Sequence, residues 1–395
     1  MVVYWGIFLW VFLLGRLQPS MSDVVTVGET REYRVHRSYM LLLFFAVIFF
    51  AAVRSHCIDT ASYIREFNHL VPDSFDRFSR YLNNKSDSHL FYGIQALFKC
   101  FLSDNVHLWL GLIAVVQGLL VASVFRRYSP DFAISTYIFV ASTLFTWMYN
   151  GIRQFLAVAI IFAATEWVLK NRWYLFVPLV LVLSGLDPIC SVLGVRTPIW
   201  CLRGVHQSAI IMLPILFLVQ GRAWNKKVWL LVGFLLAAVA TGALDTLLGS
   251  AAENTTYAVD LANAANDSGS SPIRLLVALV PVALAFFGRR EIYQPDTPPV
   301  IHLCVNMSVV TACLYLASML TSGIYVGRLP IYCELYNLIL LPWLIEHPFR
   351  RNRGILRKAL MICYLLYFIF QMYFSWDRLT YGSNLLGIYL WGGTG

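Results

Sequence analysis

The chain has 395 residues, of which 59% are hydrophobic and only 13% are charged, and its mean hydropathy is +0.66. Soluble domains carry about 25% charged residues, so this composition excludes a soluble globular protein and predicts one integral membrane domain over residues 1–395. The net charge of +9 does not indicate nucleic acid as a partner. The Lys and Arg residues fall between apolar runs, where they act as topology signals and contact anionic lipids.

Apolar runs of membrane-spanning size recur along the chain and predict an all-α polytopic fold with about 12 transmembrane helices. The first run, from Val2 to Leu14, lacks a basic region before it and an Ala-x-Ala-type cleavage site after it, which favours a retained helix over a signal peptide. The predicted spans are roughly 3–17, 39–53, 106–125, 131–148, 152–169, 173–185, 206–220, 228–247, 273–288, 300–320, 331–346 and 359–375. His89 to Ser103 is too short and too polar for a span, and we interpret it as a re-entrant or interfacial helix.

Alternate loops contain more than half of the 30 Lys and Arg residues, and the positive-inside rule makes these loops cytoplasmic. Both termini are then outside. Counting residues 89–103 as a full span would place Arg126 and Arg127 outside and would invert every later loop. The large outer regions in this topology are 54–105, 186–205 and 248–272.

The segment from Tyr149 to Ala157 places a cation and two amides where one apolar helix ends and the next begins. Asn150, Arg153 and Gln154 are spaced i, i+3, i+4, so in a helix they share one face. An arginine in a membrane segment is costly unless it faces a cavity or a partner, and the helix dipole disfavours a cation in the first turn. The pattern therefore predicts a functional site for something anionic.

In the predicted topology, five helices that run inward from the outer face start with a cation or a titratable nitrogen: His107, Arg153, His206, Arg274 and Arg328. Helix N-termini offer unpaired N–H groups and suit anions, although arginines there can instead snorkel to lipid phosphates. Pro330 is placed as a helix-starting proline, with Arg328 before it and Tyr332 about one turn inside.

Two further residues are candidates for proton transfer. His206 precedes a strongly apolar run and is either a capping residue or a general base. Asp59 follows the second span and lies i, i+4 from Tyr63; it is either a solvated acid or a group that accepts a proton or orients a hydroxyl.

The cysteines do not indicate a metal site, because the chain has no CxxC motif and no His/Cys cluster. Cys190 and Cys201 share one short loop and could form a disulfide if that loop faces an oxidising compartment. Five others are expected to be small residues packed in or beside helices: Cys100, Cys304, Cys313, Cys333 and Cys363.

The order of these motifs resembles the EpsG family of membrane proteins, regarded as Wzy-like polymerases of bacterial exopolysaccharide and capsule. The resemblance covers most of the chain and rests on five elements: the Asp-Thr element at Asp59–Tyr63, Arg126-Arg127-Tyr128-Ser129, Asn150-Gly151-Ile152-Arg153-Gln154, His206-Gln207-Ser208-Ala209, and Gly327-Arg328 with Tyr332. The chain departs from the family pattern at Gly185 to Gly204, which intervene before the His206 segment.

The resemblance implies a glycosyltransferase at the outer face of the bacterial inner membrane. Because no metal site is visible in the sequence, we expect metal-independent transfer without a cofactor. The enzyme would move a glycan from one polyprenyl-pyrophosphate carrier onto a second lipid-linked repeat unit, alongside a flippase and a chain-length regulator. His206 would accept the proton, Asp59 would orient the acceptor sugar, and Arg153 and Arg328 would stabilise the leaving pyrophosphate. The residues expected to bind substrate are Asn150, Gln154, Arg274, Tyr63 and Tyr332.

Two other classes of function remain open on the sequence. A transporter or flippase of lipid-linked glycans would also need cationic cavities, but its charges should line both halves of the membrane. An outer-face acyltransferase using His206 would need a path for an acyl donor and a partner base, and neither is evident in the sequence.

Overall fold

A computed structural model of the chain describes residues 1–27, 30–69, 88–186, 189–190, 203–242, 269–321, 323, 326–375 and 380–388. Within these residues the protein is mostly helical, as the sequence predicts. It forms two compact units. The first comprises Met1–Lys85, His89–Ala163 and Gly354–Gly395, and the second comprises Ser86–Ser88 and Ala164–Arg353. The single membrane domain expected from the sequence stays a prediction.

The described α-helices begin with α1 (Val2–Leu14), α2 (Arg37–Ala52), α3 (Thr60–His69), α4 (His89–Phe101), α5 (Val106–Tyr128), α6 (Phe132–Ala141) and α7 (Ile152–Ala163). They continue with α8 (Thr165–Leu169), α9 (Trp173–Ser184), α10 (Met212–Val219), α11 (Lys226–Ala240), α12 (Pro272–Phe287), α13 (Arg289–Ile292), α14 (Pro299–Leu320), α15 (Ile331–Glu334), α16 (Asn337–Glu346) and α17 (Arg353–Phe370). Short 3-10 segments cover Gly15–Met21, Leu144–Met148, Gln207–Ile211, Val326–Arg328 and Arg350–Asn352, and a π-helical turn covers Gln371–Ser375.

Within the described residues, one antiparallel hairpin accompanies the helices of the expected all-α fold: β1 (Ser22–Val27) and β2 (Thr30–Val35). Its register pairs Ser22 with Val35 and Val27 with Thr30. Both strands are rich in β-branched and aromatic residues interspersed with charged ones, which favours a strand. A search for long apolar runs does not detect so short and polar a segment.

Among the described residues, five helical segments are long and apolar enough to cross a membrane: Val2–Met21, Val106–Tyr128, Ile152–Leu169, Pro299–Leu320 and Arg350–Phe374. A sixth becomes possible if Val326–Glu334 and Asn337–Glu346, which meet at a bend of 46°, form one span. Shorter apolar helices of 10–17 residues account for several other predicted spans: Arg37–Ala52, Phe132–Ala141, Trp173–Ser184, Gln207–Val219 and Pro272–Phe287. These segments are consistent with an all-α membrane protein.

Several predicted spans are broken in the structure. The predicted span 131–148 becomes α6 followed by a 3-10 segment, because Thr143 between them has a left-handed φ of 65°. The predicted span 206–220 likewise starts as a 3-10 segment before it becomes α10. A β-branched residue rarely adopts a positive φ, so helix propensity gives no warning of the break at Thr143.

The first unit is held together by close packing of α2 on α5. A Cβ atom added at Gly118 of α5 would collide with the side chain of Ile48 in α2, so a larger residue at this crossing would displace Ile48. Phe44, Phe125 and Phe139 pack beside it, with ring centroids 5.9–6.4 Å apart. These contacts hold α2 against the middle and the end of α5.

Helix α4 lies across the start of α5 and does not run along it. Phe91 and Phe98 are two turns apart on α4, yet both rings contact Trp109 near the start of α5, with centroids 5.7 and 5.3 Å away. Phe98 also contacts Phe67 of α3. The interpretation of residues 89–103 as an interfacial or re-entrant helix stays a prediction.

The second unit is organised around α14, in which 89% of the most apolar stretch is buried. Its buried Asn306 donates to the carbonyl oxygen of Val219 at 2.8 Å and accepts from the N–H of Trp224 at 2.7 Å. On the α12 side, Ala278 packs against Ala312 and Tyr315. These contacts tie α10, α11 and α12 to the central helix.

Candidate functional site

Each of the five nitrogen-bearing side chains predicted at a helix start lies at or just before one. His107, Arg153 and Arg274 are in the first turns of α5, α7 and α12, respectively. His206 is the N-cap of the 3-10 segment Gln207–Ile211, and Arg328 ends a 3-10 segment two residues before α15. His107 and Arg153 belong to the first unit, and the other three belong to the second.

The turn before α7 corrects one detail of the predicted site. Asn150 lies outside the helix, because Gly151 has a φ of +71° and α7 begins at Ile152. Only Arg153 and Gln154 therefore share a helix, and Asn150 presents its amide from the preceding turn. The guanidinium carbon of Arg153 lies 5.5 Å from the ring centroid of Tyr92, a cation–π distance, and Gln154 is buried.

Among the described residues of the first unit, Arg54 is a fully buried cation, and it was not among the predicted site residues. Only 1% of its surface is exposed. Its Nε donates to Thr60 Oγ1 at 3.0 Å, its Nη1 donates to the carbonyl oxygen of Ala51, and its guanidinium carbon lies 5.8 Å from the ring centroid of Tyr149. No carboxylate of the described residues forms an ion pair with it.

Arg54 connects two motifs that the sequence singles out separately. Thr60, which accepts from Arg54, donates through the same hydroxyl to the carbonyl oxygen of Tyr149 at 3.2 Å. The loop carrying Asp59 is thereby joined to the turn that precedes Arg153. A signal existed in the sequence, because Arg54 directly follows an apolar run and precedes the Asp59 motif; by composition alone it resembles an ordinary flanking cation.

Asp59 lies at the start of α3 and is half-buried. Its carbonyl oxygen accepts from the N–H groups of Ser62 and Tyr63 at 3.0 and 3.2 Å, which confirms the helical spacing of Asp59 and Tyr63. Tyr63 points inward, edge-to-face with Phe91. Ile58 has a φ of 42°, a strained conformation for a β-branched residue that is typical of functional loops.

Cys57 in the same loop is a packing residue. Its thiol is fully buried and lies 3.5 Å from the hydroxyl of Tyr4. Burial raises the pKa of the Cys57 thiol, outweighing the opposing effects of the Tyr4 hydrogen bond and the Arg54 charge. The thiol is therefore held in its neutral form.

In the second unit, Ser208 brings His206 and Tyr332 together. His206 Nδ1 lies 2.7 Å from Ser208 Oγ, which lies 3.0 Å from the hydroxyl of the buried Tyr332. A histidine that donates from Nδ1 carries its lone pair on Nε2, the tautomer that suits proton acceptance there. His206 and Tyr332, which the sequence singles out separately, are thus linked through the Ser208 hydroxyl.

The Gly185–Gly204 insertion does not displace His206 from the end of α9. The carbonyl oxygen of Leu183 accepts from the N–H groups of both Val205 and His206, at 2.7 and 3.0 Å, and Gly185 pairs with Arg203 in an isolated bridge. A Cβ atom added at Gly204 would collide with the Leu183 carbonyl group. The chain therefore leaves α9 and returns to the same point.

The predicted disulfide falls within this insertion. Cys190 is among the described residues and Cys201 is not, so the predicted pairing lies outside what the structure describes.

A buried carboxylate near Arg274 was also missed from sequence. Glu334 accepts a hydrogen bond from the hydroxyl of Tyr315 at 2.7 Å, and the charge of Arg274 acts on it. Nearby, a Cβ atom at Gly327 would come within 2.7 Å of Ser270 Oγ, so a larger residue immediately before Arg328 would displace this hydroxyl. An acidic residue inside the predicted span 331–346 was the available signal for Glu334.

These side chains can bind anions and orient a base. Arg54 and Arg153 are cations in a largely apolar unit, where electrostatic interactions are stronger than in water. The His206–Ser208–Tyr332 chain holds an imidazole in a defined orientation. Among the described residues, no group of three or more His, Cys, Asp or Glu side chains is positioned to hold a metal ion.

The fold and these sites define a helical membrane protein with cationic and hydrogen-bonding side chains at its helix starts. Residues 37–185 and 200–386 match the EpsG family, and the chain belongs to that family, whose members are polysaccharide-polymerase-like membrane proteins. The match omits residues 186–199, which lie within the Gly185–Gly204 insertion. No curated protein and no solved structure was found to be similar to the chain.

Proposed function

We propose that this protein is a membrane glycosyltransferase of the polymerase type. It joins polyprenyl-pyrophosphate-linked repeat units into an exopolysaccharide, capsule or O-antigen-type polymer at the outer face of a bacterial inner membrane. Transfer is metal-independent, and charge stabilisation comes from arginines. The flippase that delivers the repeat units and a chain-length regulator are the expected partners.

The extent of the family match carries this proposal. It covers both units and includes every motif with a proposed role: Asp59–Tyr63, Asn150–Gln154, His206–Ala209 and Gly327–Arg328. An isolated motif would be weak support, because short motifs arise by chance. Here the motifs lie within one family match and also occupy helix starts, where anionic groups bind.

Contacts within the first unit support the proposed orientation. At the proposed cytoplasmic side, Asp131 accepts from Gln18 at 3.1 Å and pairs with Arg357 at 3.1 Å, and Arg126 donates to the carbonyl oxygen of Val35 at 2.8 Å. These contacts join three loops that the positive-inside rule places together. At the proposed outer side, His56 pairs with Gly382.

Contacts within the second unit follow the same division. At the proposed cytoplasmic side, Gln220 donates to the carbonyl oxygen of Val168 at 3.1 Å, and Tyr293 donates to that of Ala223 at 3.2 Å. At the proposed outer side, His206 contacts Leu183 through the backbone. We therefore retain the proposed topology of about 12 spans, with the shorter apolar helices completed by their flanking residues.

The transfer step requires a leaving group, a nucleophile and a base. An acceptor hydroxyl attacks the anomeric carbon of the donor glycan, a new C–O bond forms, and the bond to the lipid pyrophosphate breaks. The pyrophosphate leaves with the bonding electron pair, and cations at Arg153 and Arg328 stabilise its charge. Arg274, Asn150, Gln154 and Tyr63 bind the substrate.

In this proposal His206 is the base that accepts the proton from the acceptor hydroxyl. An imidazole has an ordinary pKa near 6.5, so it is a better-matched base at neutral pH than a carboxylate with a pKa near 3.9. Ser208, supported by Tyr332, fixes the orientation of the ring. Asp59 orients the acceptor sugar, its side-chain oxygens accepting hydrogen bonds from the sugar hydroxyls.

Deletion of the gene, followed by analysis of lipid-linked glycans, tests the proposal. A polymerase deletion leaves single repeat units on lipid carriers at the outer face and no polymer. Repeat units trapped at the inner face would instead identify a flippase. Normal polymer lacking acyl groups would identify an acyltransferase.

A further inference from the structure

A cavity of about 510 Å³ lies in the first unit, beside the loop that carries Asp59. Four parts of the chain form it: the residues after α2, one face of α3, the start of α5 and the segment 380–388. Its polar lining residues are Ser55, Arg65, Asn68, His69, His107 and Asn384. None of these residues has a role in the proposed transfer step.

The cavity is basic. Arg65, His69 and His107 line it, and no Asp or Glu of the described residues does so. Arg65 is the cation among these lining residues, and the two imidazoles offer ring N–H donors. Arg54 and Lys99 lie close by: the buried charge of Arg54 acts on His107, and Lys99 donates to the carbonyl oxygens of Phe67 and Asn68 at the end of α3. Cations and N–H donors without an opposing carboxylate among the lining residues favour an anionic ligand.

The remaining lining residues suit a sugar ring. Ser55, Asn68 and Asn384 offer hydroxyl and amide groups that donate and accept hydrogen bonds. Ala61 and Ile64 provide an apolar surface for a ring face. Ser55 Oγ also accepts from the N–H of Asn384 at 3.0 Å, which joins two walls of the cavity. The volume falls within the ~300–1,000 Å³ typical of small-molecule sites.

We propose that this cavity binds a negatively charged sugar residue of the glycan substrate, with its anionic group held by Arg65, His69 and His107. The anionic specificity follows from the lining residues, whereas the assignment to a sugar rests on the proposed function. The repeat unit handled by this protein would then contain an acidic sugar. The cavity selects this sugar, while the arginines at helix starts bind the carrier pyrophosphate.

Binding to the full-length protein in nanodiscs of zwitterionic lipid tests this proposal, with saturation-transfer NMR and titration as the readout. The probes are cellobiuronic acid and the neutral disaccharide cellobiose, which share a backbone and differ by one carboxylate. We expect cellobiuronic acid to bind and cellobiose to bind at least about tenfold more weakly, because a charge-assisted hydrogen bond contributes roughly 1.5–3 kcal/mol.

Variants locate the site. The double variant R65Q/H69Q should weaken the binding of cellobiuronic acid about tenfold or more. The control R290Q, at an exposed arginine of α13, should leave this binding unchanged. Both side chains of the double variant are exposed, so folding should be preserved, and a thermal melt checks this. A single lysine in place of one of these glutamines, as in R65K/H69Q or R65Q/H69K, should recover part of the affinity for cellobiuronic acid.

Several outcomes would overturn the proposal: equal binding of the two disaccharides, no binding of either, or unchanged binding by the folded double variant. Inorganic pyrophosphate binding at this site in place of cellobiuronic acid would assign it to the carrier diphosphate. Displacement of the sugar by anionic lipid in the nanodisc would assign it to a lipid headgroup. The binding measurement does not require polymerisation, so its result is separate from that of the deletion experiment.

Discussion

The carbonyl oxygen of Leu183, near the end of α9, accepts a hydrogen bond from the backbone N–H of His206 at 3.0 Å. This hydrogen bond fixes the proposed base relative to α9 without involving the residues of the Gly185–Gly204 insertion. Gly185 and Arg203 close the insertion at its base. The insertion and the proposed catalytic position are therefore structurally separable.

We predict that the insertion can be shortened without loss of activity. Replacing residues 188–201 with two glycines should leave polymer within about twofold of normal, because both anchoring hydrogen bonds of Leu183 are kept. Polymer is measured on gels of total polysaccharide, normalised to the protein in membranes. The matched variant G204V should form less polymer. Its side chain would collide with the Leu183 carbonyl group, and overpacking of this kind lowers the free energy of unfolding by about 1–3 kcal/mol. Loss of polymer by the shortened variant at normal protein level would give the insertion a direct role.

A disulfide between Cys190 and Cys201 remains a prediction and is structural. Closing a loop of this length should stabilise the protein by only ~2–3 kcal/mol. Labelling with an impermeant thiol reagent should modify both residues only after reduction, and C190S should expose Cys201 to labelling without reductant. Free thiols in both conditions would exclude the bond, and labelling from the cytoplasmic side alone would contradict the proposed orientation.

We expect R153A to abolish polymer formation while the protein remains inserted and abundant. The guanidinium stabilises the leaving pyrophosphate, and its contact with the Tyr92 ring is a minor contribution to folding. R153K should also be impaired, because an ammonium cannot form the bidentate contact that a guanidinium makes with phosphate. R290A is the control for loss of one positive charge. Normal polymer from R153A at normal protein level would remove Arg153 from the site.

His206 and Asp59 should fail in different ways. H206A should lower the rate of transfer by ~10²–10⁴ with lipid-linked substrate still bound, whereas D59N should mainly weaken acceptor use. Y332F removes the hydroxyl that supports Ser208 and should have a smaller effect in the same direction, and H36A, at an exposed histidine, should have none. Purified protein with lipid-linked repeat units provides the assay. Normal turnover by H206A together with inactivity of D59N would reverse the two roles.

Thr60 should contribute to stability through its hydrogen bonds with Arg54 and Tyr149. T60V leaves the Arg54 Nε group and the Tyr149 carbonyl without their partner and should lower the free energy of unfolding by about 1–3 kcal/mol. T60S keeps the hydroxyl and is the matched control. Thermal unfolding in detergent measures the change. Equal melting temperatures for T60V and T60S would show that this hydroxyl does not hold the two motifs together.

The helices could be predicted from sequence because long runs of apolar residues indicate them. Each predicted span contains a helix in the described residues, since apolar runs of this length are found only in membrane spans or buried helices. The breaks were not predictable in this way. Thr143 and the bend before Asn337 occur within apolar runs, where hydropathy is unchanged by a kink. The hairpin at Ser22–Val35 was missed for the opposite reason, because it is too polar for such a search.

The site residues divide along a similar line. Arg153, Arg274 and Tyr332 could be proposed because polar groups within apolar runs are conspicuous. Arg54 could not be distinguished from an ordinary flanking cation until its hydrogen bonds to Ala51 and Thr60 were located. The separation of Asn150 from its predicted helix face depends on the conformation of Gly151, which spacing alone does not reveal.

The pairing of the segment after α2 with residues 381–384 has a consequence for biosynthesis. Tyr381 donates to the carbonyl oxygen of Phe50, a partner 331 positions earlier in the chain, and Ser383 donates to that of Val53 at 2.5 Å. Residues 50–53 leave the ribosome long before their partners do. The basic cavity therefore stays incomplete until residues 381–384 have been synthesised, after every intervening helix. An incomplete chain therefore lacks the wall formed by residues 381–384, and we expect nascent or truncated protein not to bind lipid-linked substrate at the proposed site.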